Sequence, residues 1–492
     1  MISKRIFLLT ACLMGLSAGA VAEGQAALKA SQAAPRPSHK ARAKSARLAA
    51  STGMQADAVI AKALKSISAT QIQHTIETLV AFGNRSTLSS AQPAAGGHGI
   101  TAARDWIKNE FDSYAKDCGG CLDVQLDTFT QPVSERVPQP TELSNVYAVL
   151  RGTDPESAGR IVLVTGHYDS RNSDPLNATE LAPGANDDGS GVAISLECAR
   201  VLSQLKFPAT IIFLTVAGEE QGLYGSKHFA QMARQKGWQI EAVLNNDIVG
   251  GDKSPEQNPR TVRVFSEGIP VAATEAELRQ IRNQGSENDS PSRELARYIA
   301  EVGNAYLSDY SFAPTLIYRR DRYLRGGDHT SFNEEGFAAI RFTEWREDFH
   351  HQHQNVRVEN GIEYGDLPKF VDFDYVANVA RLNAAALASL ASAPAPPQNV
   401  KIQTKELDNN TALDWTPSAR DVTDEILWRA TDANRWSRAP KTQVKLTMNM
   451  ESGKNARRLA NVEMSKDNVI FAVRAVDAQG HKSLPVVPTP ER

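Results

Sequence analysis

Four short clusters of histidine and carboxylate residues follow one another through the middle of the chain. They are Gly166-His167-Tyr168-Asp169, Gly184-Ala185-Asn186-Asp187-Asp188-Gly189-Ser190-Gly191, Gly218-Glu219-Glu220-Gln221 and Asn245-Asn246-Asp247. A neutral imidazole such as His167 can bind a divalent metal, and Asp169, two residues on, can accept its other ring N–H and fix the tautomer. A carboxylate has two oxygens and can bridge two cations, and capping the following helix accounts for one of Asp187 and Asp188 but not both. Adjacent glutamates leaving a buried strand divide into one ligand and one free general base. Asp247 adds another hard oxygen ligand. Taken singly, each cluster is more often structural, since H-x-D pairs commonly sit at surfaces or helix caps. Taken together and in this order, they point to a metal centre.

The elements that must position these residues alternate between strand and helix. The runs Ile161-Val162-Leu163-Val164 and Ile211-Ile212-Phe213-Leu214 are apolar without alternation, as expected of strands covered on both faces. The pattern predicts strands over 145–150, 161–165, 210–216, 242–248 and 339–343, with helices over 192–205, 225–235, 292–302 and 376–390. Two amphipathic helical patterns, 58–79 and 100–111, precede them. The expected fold class is α/β: a mainly parallel, doubly wound sheet with helices on both faces, plus a small C-terminal all-β sandwich. The four clusters then fall at C-terminal strand ends, where open α/β sheets place their binding crevice. Residues 252–290 are polar without a strong period and read as an insertion or long loop.

At Ala393-Pro394-Ala395-Pro396-Pro397 the composition changes, and short β-rich runs follow: 399–402, 412–415, 426–428 and 469–476. The last hundred residues resemble a fibronectin type III module, with Trp415 at that family's early core tryptophan and Phe471 where the family usually has tyrosine. The expected organisation is therefore a signal peptide over 1–22, a flexible basic Ala-rich leader over 23–55, a catalytic domain over 56–392, a linker over 393–398 and the sandwich over 399–492. For the sandwich two roles stay open, packing on the catalytic domain and binding a surface.

Lys4 and Arg5 precede an apolar run from Ile6, and Ala20-Val21-Ala22 offers a small-x-small cleavage site, so export to the periplasm or the medium is expected. A lipid-attachment reading of Leu9-Thr10-Ala11-Cys12 would leave a short apolar stretch. In an oxidising compartment Cys118-Gly119-Gly120-Cys121 reads as a local disulfide, and Cys198 as a small buried hydrophobe. The 492 residues allow about three domains, and 41% apolar with 23% charged residues is a globular balance. With 54 basic against 57 acidic residues the net charge is −3, which supplies no global field toward nucleic acid. No apolar run of membrane-spanning length follows residue 22, so no membrane span is expected.

The ordered set His167-x-Asp169, "GANDDGSG", "GEEQGLYGS" and "NND" resembles the signature of exported di-zinc aminopeptidases over roughly residues 60–392. That fold family also holds glutamate carboxypeptidases, glutaminyl cyclases and a metal-free receptor ectodomain, so carboxypeptidase, cyclase and receptor or adhesion readings stay open as alternatives. The resemblance implies a metallo-exopeptidase acting on peptides with two Zn2+ per chain. Asp187 would bridge, Glu220 and a C-terminal histidine would complete one site, and His167 with Asp247 the other. Glu219 would be the general base, and Asp188 would follow a cis peptide bond. Phe349-His350-His351-Gln352-His353 offers three candidates for the C-terminal histidine. The family ligand stands four residues before an Asp; His351 stands four before Asn355 and is the expected ligand. His350 would then be placed to help stabilise an oxyanion. Gly326-Gly327-Asp328-His329 resembles the family's "SDH" segment, with His329 supporting or packing against the site. Arg319, Arg320, Arg322 and Arg325 are the cations a carboxypeptidase pocket would need.

Overall fold

The computed structural model describes residues 53–91, 98–420, 423–449 and 456–491. The expected signal peptide, with Cys12, and nearly all of the leader lie outside the described residues.

The N-terminal pattern resolves into three helices, α1 (Ala58–Leu64), α2 (Ala69–Ala81) and α3 (Gly99–Asp117). Asp57 and Ser68 cap the first two by accepting backbone N–H groups of the first turn. Then come β1 (Leu122–Gln131), β2 (Thr141–Leu150), β3 (Arg160–His167), α4 (Gly189–Leu202), β4 (Thr210–Val216), α5 (Tyr224–Gln235) and β5 (Gln239–Asn246). They are followed by β6 (Thr261–Ser266), α6 (Glu275–Gln284), α7 (Pro291–Tyr306), β7 (Ala313–Ile317), α8 (His329–Glu334), β8 (Ala339–Glu344), the short pair β9 (Arg357–Glu359) and β10 (Ile362–Tyr364), and α9 (Phe373–Ser392).

The large sheet has the order β1-β2-β4-β3-β5-β8-β6-β7. Its centre, β4-β3-β5-β8, is parallel, as expected. The flanks are mixed: β1 and β2 form an antiparallel pair, β2 runs antiparallel to β4, and β6 runs antiparallel to β8. Side-chain alternation splits each central strand between two cores. Val162, Val164, Ile211 and Phe213 pack with α1–α4, α7 and α9, whereas Ile161, Leu163, Ile212, Leu214 and Val216 pack with α5 and α8. Both faces are thus covered, which is why these strands carry continuous apolar runs.

The segment 252–290 is not a loop throughout. It contains β6, six residues broken by Arg263, and α6, which buries none of its residues and is held at its start by a Thr274–Glu277 capping box. A strand this short is defined by its neighbours β7 and β8 rather than by its own period. Cys118 and Cys121 form the expected disulfide just after α3, and Cys198 is buried in α4.

Beyond residue 393, β11 (Gln398–Gln403), β12 (Thr411–Thr416), β13 (Thr423–Arg429), β14 (Ser437–Arg438), β15 (Val444–Asn449), β16 (Arg457–Val462), β17 (Ile470–Val476) and β18 (Thr489–Glu491) build two small sheets, β15-β16-β12-β11-β18 and β14-β13-β17. Trp415, Val400, Leu413, Ile426, Phe471 and Val473 from both sheets form one apolar cluster, with Trp415 fully buried. The described residues form one compact unit, and the two parts are joined by polar contacts along α7 and just before it. Arg474 pairs with Glu301 at 2.7 Å, Arg429 pairs with Asp289, Trp436 Nε1 donates to Glu294 at 2.7 Å, and Tyr298 Oη donates to the Lys482 carbonyl at 3.1 Å. The described residues contain no helix long and apolar enough to cross a membrane.

Candidate metal centre

Because β4, β3, β5 and β8 run parallel, the residues just past their C-terminal ends share one crevice. His167 ends β3, Glu219 and Glu220 follow β4, Asp247 follows β5, Asp187 precedes α4, and residues 345–355 follow β8. Glycine permits the close approach that brings α4 in. A Cβ on Gly191 would lie 2.2 Å from the Asn246 carbonyl oxygen, and one on Gly166 would lie 2.5 Å from the Gly191 carbonyl carbon.

Asp187 lies at the centre of the cluster. Its Oδ1 is 3.2 Å from His167 Nε2 and its Oδ2 is 2.9 Å from His353 Nε2. His353 Nε2 is also 3.0 Å from Glu220 Oε1. On the other side, ligand atoms of His167, Glu219 and Asp247 all lie within 4.8 Å of one another. The Asp187–Asp188 peptide is cis, as the resemblance implied.

His351, the expected ligand, stands elsewhere. Its ring stacks on Phe370 at 3.6 Å between centroids and its Nδ1 meets Asp252 Oδ2 at 2.7 Å, so His353 occupies the place beside Asp187 and Glu220. His353 has φ +53°, a left-handed turn of the chain that counting residues does not reveal. His350 is half-exposed, with Nδ1 3.0 Å from Asp348, outside both groups of converging ligands. His329 is buried with Nε2 2.9 Å from the Arg320 carbonyl oxygen, and burial pushes its pKa down to about 4. Asp321 Oδ2 lies 3.6 Å from the same nitrogen.

Asp169 was expected to take the His167 ring N–H on its carboxylate. Its backbone carbonyl does so instead, 3.2 Å from Nδ1, with the carboxylate at 3.6 Å. The carboxylate accepts the backbone N–H groups of Glu219 at 3.2 Å and Glu220 at 3.1 Å, and so holds the turn that presents both glutamates. Asp188 caps α4 through Gly191 N and also accepts His167 N at 2.9 Å, tying the helix to the end of β3.

Three supporting residues were not found from sequence. Asp366 accepts the N–H groups of Asn186 at 2.8 Å and Asp187 at 2.7 Å, and burial raises its pKa to about 7. Arg341, wholly buried on β8, lies 2.8 Å from Asp247 Oδ1. Asp328 is buried and raised to about 7, chiefly by desolvation. A lone arginine inside the strand run Ala339–Thr343 was the available signal for Arg341; Asp366 carried none.

The charge balance of the crevice favours a cation. Burial drives Glu219 well above the usual carboxylate range, with Asp247, Glu220 and Asp328 adding to it. Burial opposes the charge on His353, but Glu220 and Asp187 raise it to about 10. Buried carboxylates of this density need compensation. His167 Nε2 is buried without a hydrogen-bond partner while facing Asp187 and Asp247, and the mixed N/O donors suit a divalent transition metal.

An α/β sheet with an imidazole–carboxylate cluster at its parallel strand ends is built to hold metal ions. Residues 145–365 match Peptidase family M28. The chain is 46% identical over 431 residues to a probable zinc metalloprotease of Pyrenophora teres f. teres, covering 86% of this chain and 85% of that protein. It is 45% identical over 445 residues to another of Pyricularia oryzae, covering 88% and 85%. The fold is similar to that of the LapA aminopeptidase of Legionella pneumophila, with a TM-score of 0.50 at 23% identity over 69% of this chain and 76% of that one. The chain belongs to peptidase family M28 and is a metallopeptidase.

Proposed function

We propose that this chain is an exported zinc exopeptidase that removes N-terminal residues from peptides. The observation that carries the reading is Asp187, whose two oxygens face two different imidazoles. His167 and Asp247 would hold one cation, Glu220 and His353 the second, and Asp187 would be shared. Zinc follows from the relatives' description as zinc metalloproteases. When bound, zinc supplies Lewis acidity toward the scissile carbonyl and lowers the pKa of a coordinated water from about 15.7 toward about 7.

The protein's own part is orientation and proton handling. Asp169 holds the Glu219–Glu220 turn, Asp366 holds the backbone of Asp187, and Asp188 holds that of His167. Glu219 takes the proton from the attacking water and passes it to the leaving amine, a task suited to a carboxylate whose burial raises its proton affinity. A free substrate α-amine finds carboxylates on several sides of the crevice.

The arginines of a carboxypeptidase pocket are otherwise engaged. Arg320 pairs with Glu334, Arg322 and Arg325 pair with Glu347, and Arg319 stacks on Tyr323. This favours the aminopeptidase. In this reading residues 1–22 are an export signal, the mature chain works in the periplasm or medium, and the C-terminal sheets, read as fibronectin type III-like, serve as a docked support.

Mass-spectrometric product analysis of a peptide and its N-acetylated twin, with zinc, tests the reading. Loss of the first residue from the free peptide alone is the expected result. Loss from the C-terminus of both would overturn it in favour of a carboxypeptidase.

A further inference from the structure

His351 is left out of the centre around Asp187, yet it is held among carboxylates of its own. Its Nδ1 lies 2.7 Å from Asp252 Oδ2 and 4.0 Å from Asp348 Oδ2, and one ligand atom from each of the three lies within 4.8 Å of the others. These residues line a small, partly open cavity of about 10 Å³ beside the crevice, close to the space one water or one ion occupies. Of the other acids on its wall, Asp187 belongs to the centre already described and the rest are committed. Glu344 accepts the N–H groups of Gly251 and Asp252, Asp366 those of Asn186 and Asp187, and Glu347 pairs with three arginines.

A second observation is independent of these charges. Gln352, only 8% exposed, lines the same cavity. Its Nε2 donates to Asp187 Oδ2 at 3.1 Å, while its carbonyl Oε1 is buried with no hydrogen-bond partner. Such an oxygen left unpaired is costly. Protonating His351 would satisfy Asp252 but leave Gln352 Oε1 as it is; a cation in the cavity that both residues line would offer each a partner.

We propose that Asp252, Asp348, His351 and the Gln352 carbonyl form a further divalent-cation site, separate from the pair of positions around Asp187. One imidazole with three oxygens suits zinc or manganese better than calcium, which takes all-oxygen shells. The site ties the segment after β5, which carries Asp252, to the loop after β8, which carries His353. Filling it holds His353 in place against Asp187 and Glu220.

The test is zinc content of the full chain after equilibrium dialysis at fixed free zinc, with circular dichroism to check folding. Wild type is expected to bind three equivalents. Asp252→Asn/His351→Gln is expected to bind two, and Glu220→Gln/His353→Ala to keep the equivalent held by this site. Asp348→Asn, a milder change, is expected to weaken one equivalent at least tenfold, and it decides the matter if the double variant does not fold. Equal zinc content and affinity in wild type and Asp348→Asn overturns the proposal. The two readings fail separately. One equivalent in wild type that survives Glu220→Gln/His353→Ala and is lost in Asp252→Asn/His351→Gln supports this site and overturns the two-cation centre. Two equivalents that both survive Asp252→Asn/His351→Gln do the reverse.

Discussion

Arg341 Nη2 lies 2.8 Å from Asp247 Oδ1, and the same oxygen is 4.0 Å from His167 Nε2. A guanidinium wholly buried on β8 therefore shares the carboxylate proposed to hold a cation, and Asp321 faces its other nitrogen at 3.4 Å. Breaking a buried pair by removing one partner leaves an uncompensated charge and typically costs about 3–5 kcal/mol. Arg341→Met is expected to lower unfolding free energy by that order in chelator-treated protein, and by clearly less after zinc is restored. Urea unfolding with and without chelator measures both; an equal loss in the two states would count against a cation beside Asp247.

His353 and His351 make a second comparison. His353→Ala is expected to cut kcat/KM by at least about 100-fold, because the ring beside Asp187 and Glu220 is lost. His351→Gln is expected to act more mildly, through the position of His353. Initial rates on one peptide with both variants at saturating zinc check this; the reverse ranking would restore His351 as the ligand.

Glu219→Gln keeps the size of the side chain and removes its capacity as a base. Turnover is expected to fall about 100- to 10,000-fold with zinc content unchanged. Single-turnover kinetics beside elemental analysis separate the two, and near wild-type kcat would remove Glu219 from the proton path.

Acid lability is expected from Glu347 and His329. Burial alone would raise Glu347, but Arg322, Arg325, Arg341 and Arg263 hold it at about 2, below its ordinary 4.5. Its contribution is complete above pH 4.5 and is lost as pH falls toward 2, on the order of 3 kcal/mol. His329, buried and near 4 against an ordinary 6.5, also favours the folded state less as pH falls from 6.5 to 4. Thermal unfolding between pH 7 and 3 should give Glu347→Gln a flatter curve than wild type below about pH 4.5; parallel curves would contradict the assignment.

Trp415 fills the centre of the C-terminal sandwich, fully buried between its two sheets. Trp415→Ala is expected to cost about 3–5 kcal/mol. Because Arg474 and Trp436 tie these sheets to α7 and Arg429 ties them to Asp289 just before it, the loss should appear in the main unfolding transition and not only as a separate early one. Calorimetry tells the two apart.

The central sheet was legible because its strands are buried on both faces. Ile161–Val164 and Ile211–Leu214 have no polar alternation to confuse with a surface strand, and 210–216 matches β4 residue for residue. Strands at or next to the sheet's edges were not legible. β1 carries a mixed polar pattern, with its inner residues set by pairing to β2, and β6 depends on β7 and β8. Residues 252–290 therefore looked like loop.

The same contrast divides the candidate site. His167, Asp187, Glu219, Glu220 and Asp247 were readable because strand ends and glycine-permitted turns are local features that put ligand-type side chains at one sheet edge. What each does beyond that depended on groups far away in the chain: Asp169 turned out to hold the backbone of Glu219 and Glu220, and Asp366 that of Asp187. By itself the sequence determined the fold class, the order of the chemical clusters and the family resemblance, since hydrophobic period and motif spacing are written along the chain. Only the tertiary structure decided that His353 and not His351 faces Asp187, and that Arg341 backs Asp247. Those choices rest on a left-handed turn at His353, on Phe370 stacking against His351, and on the alignment of β8 beside β5, none of which is encoded in residue spacing.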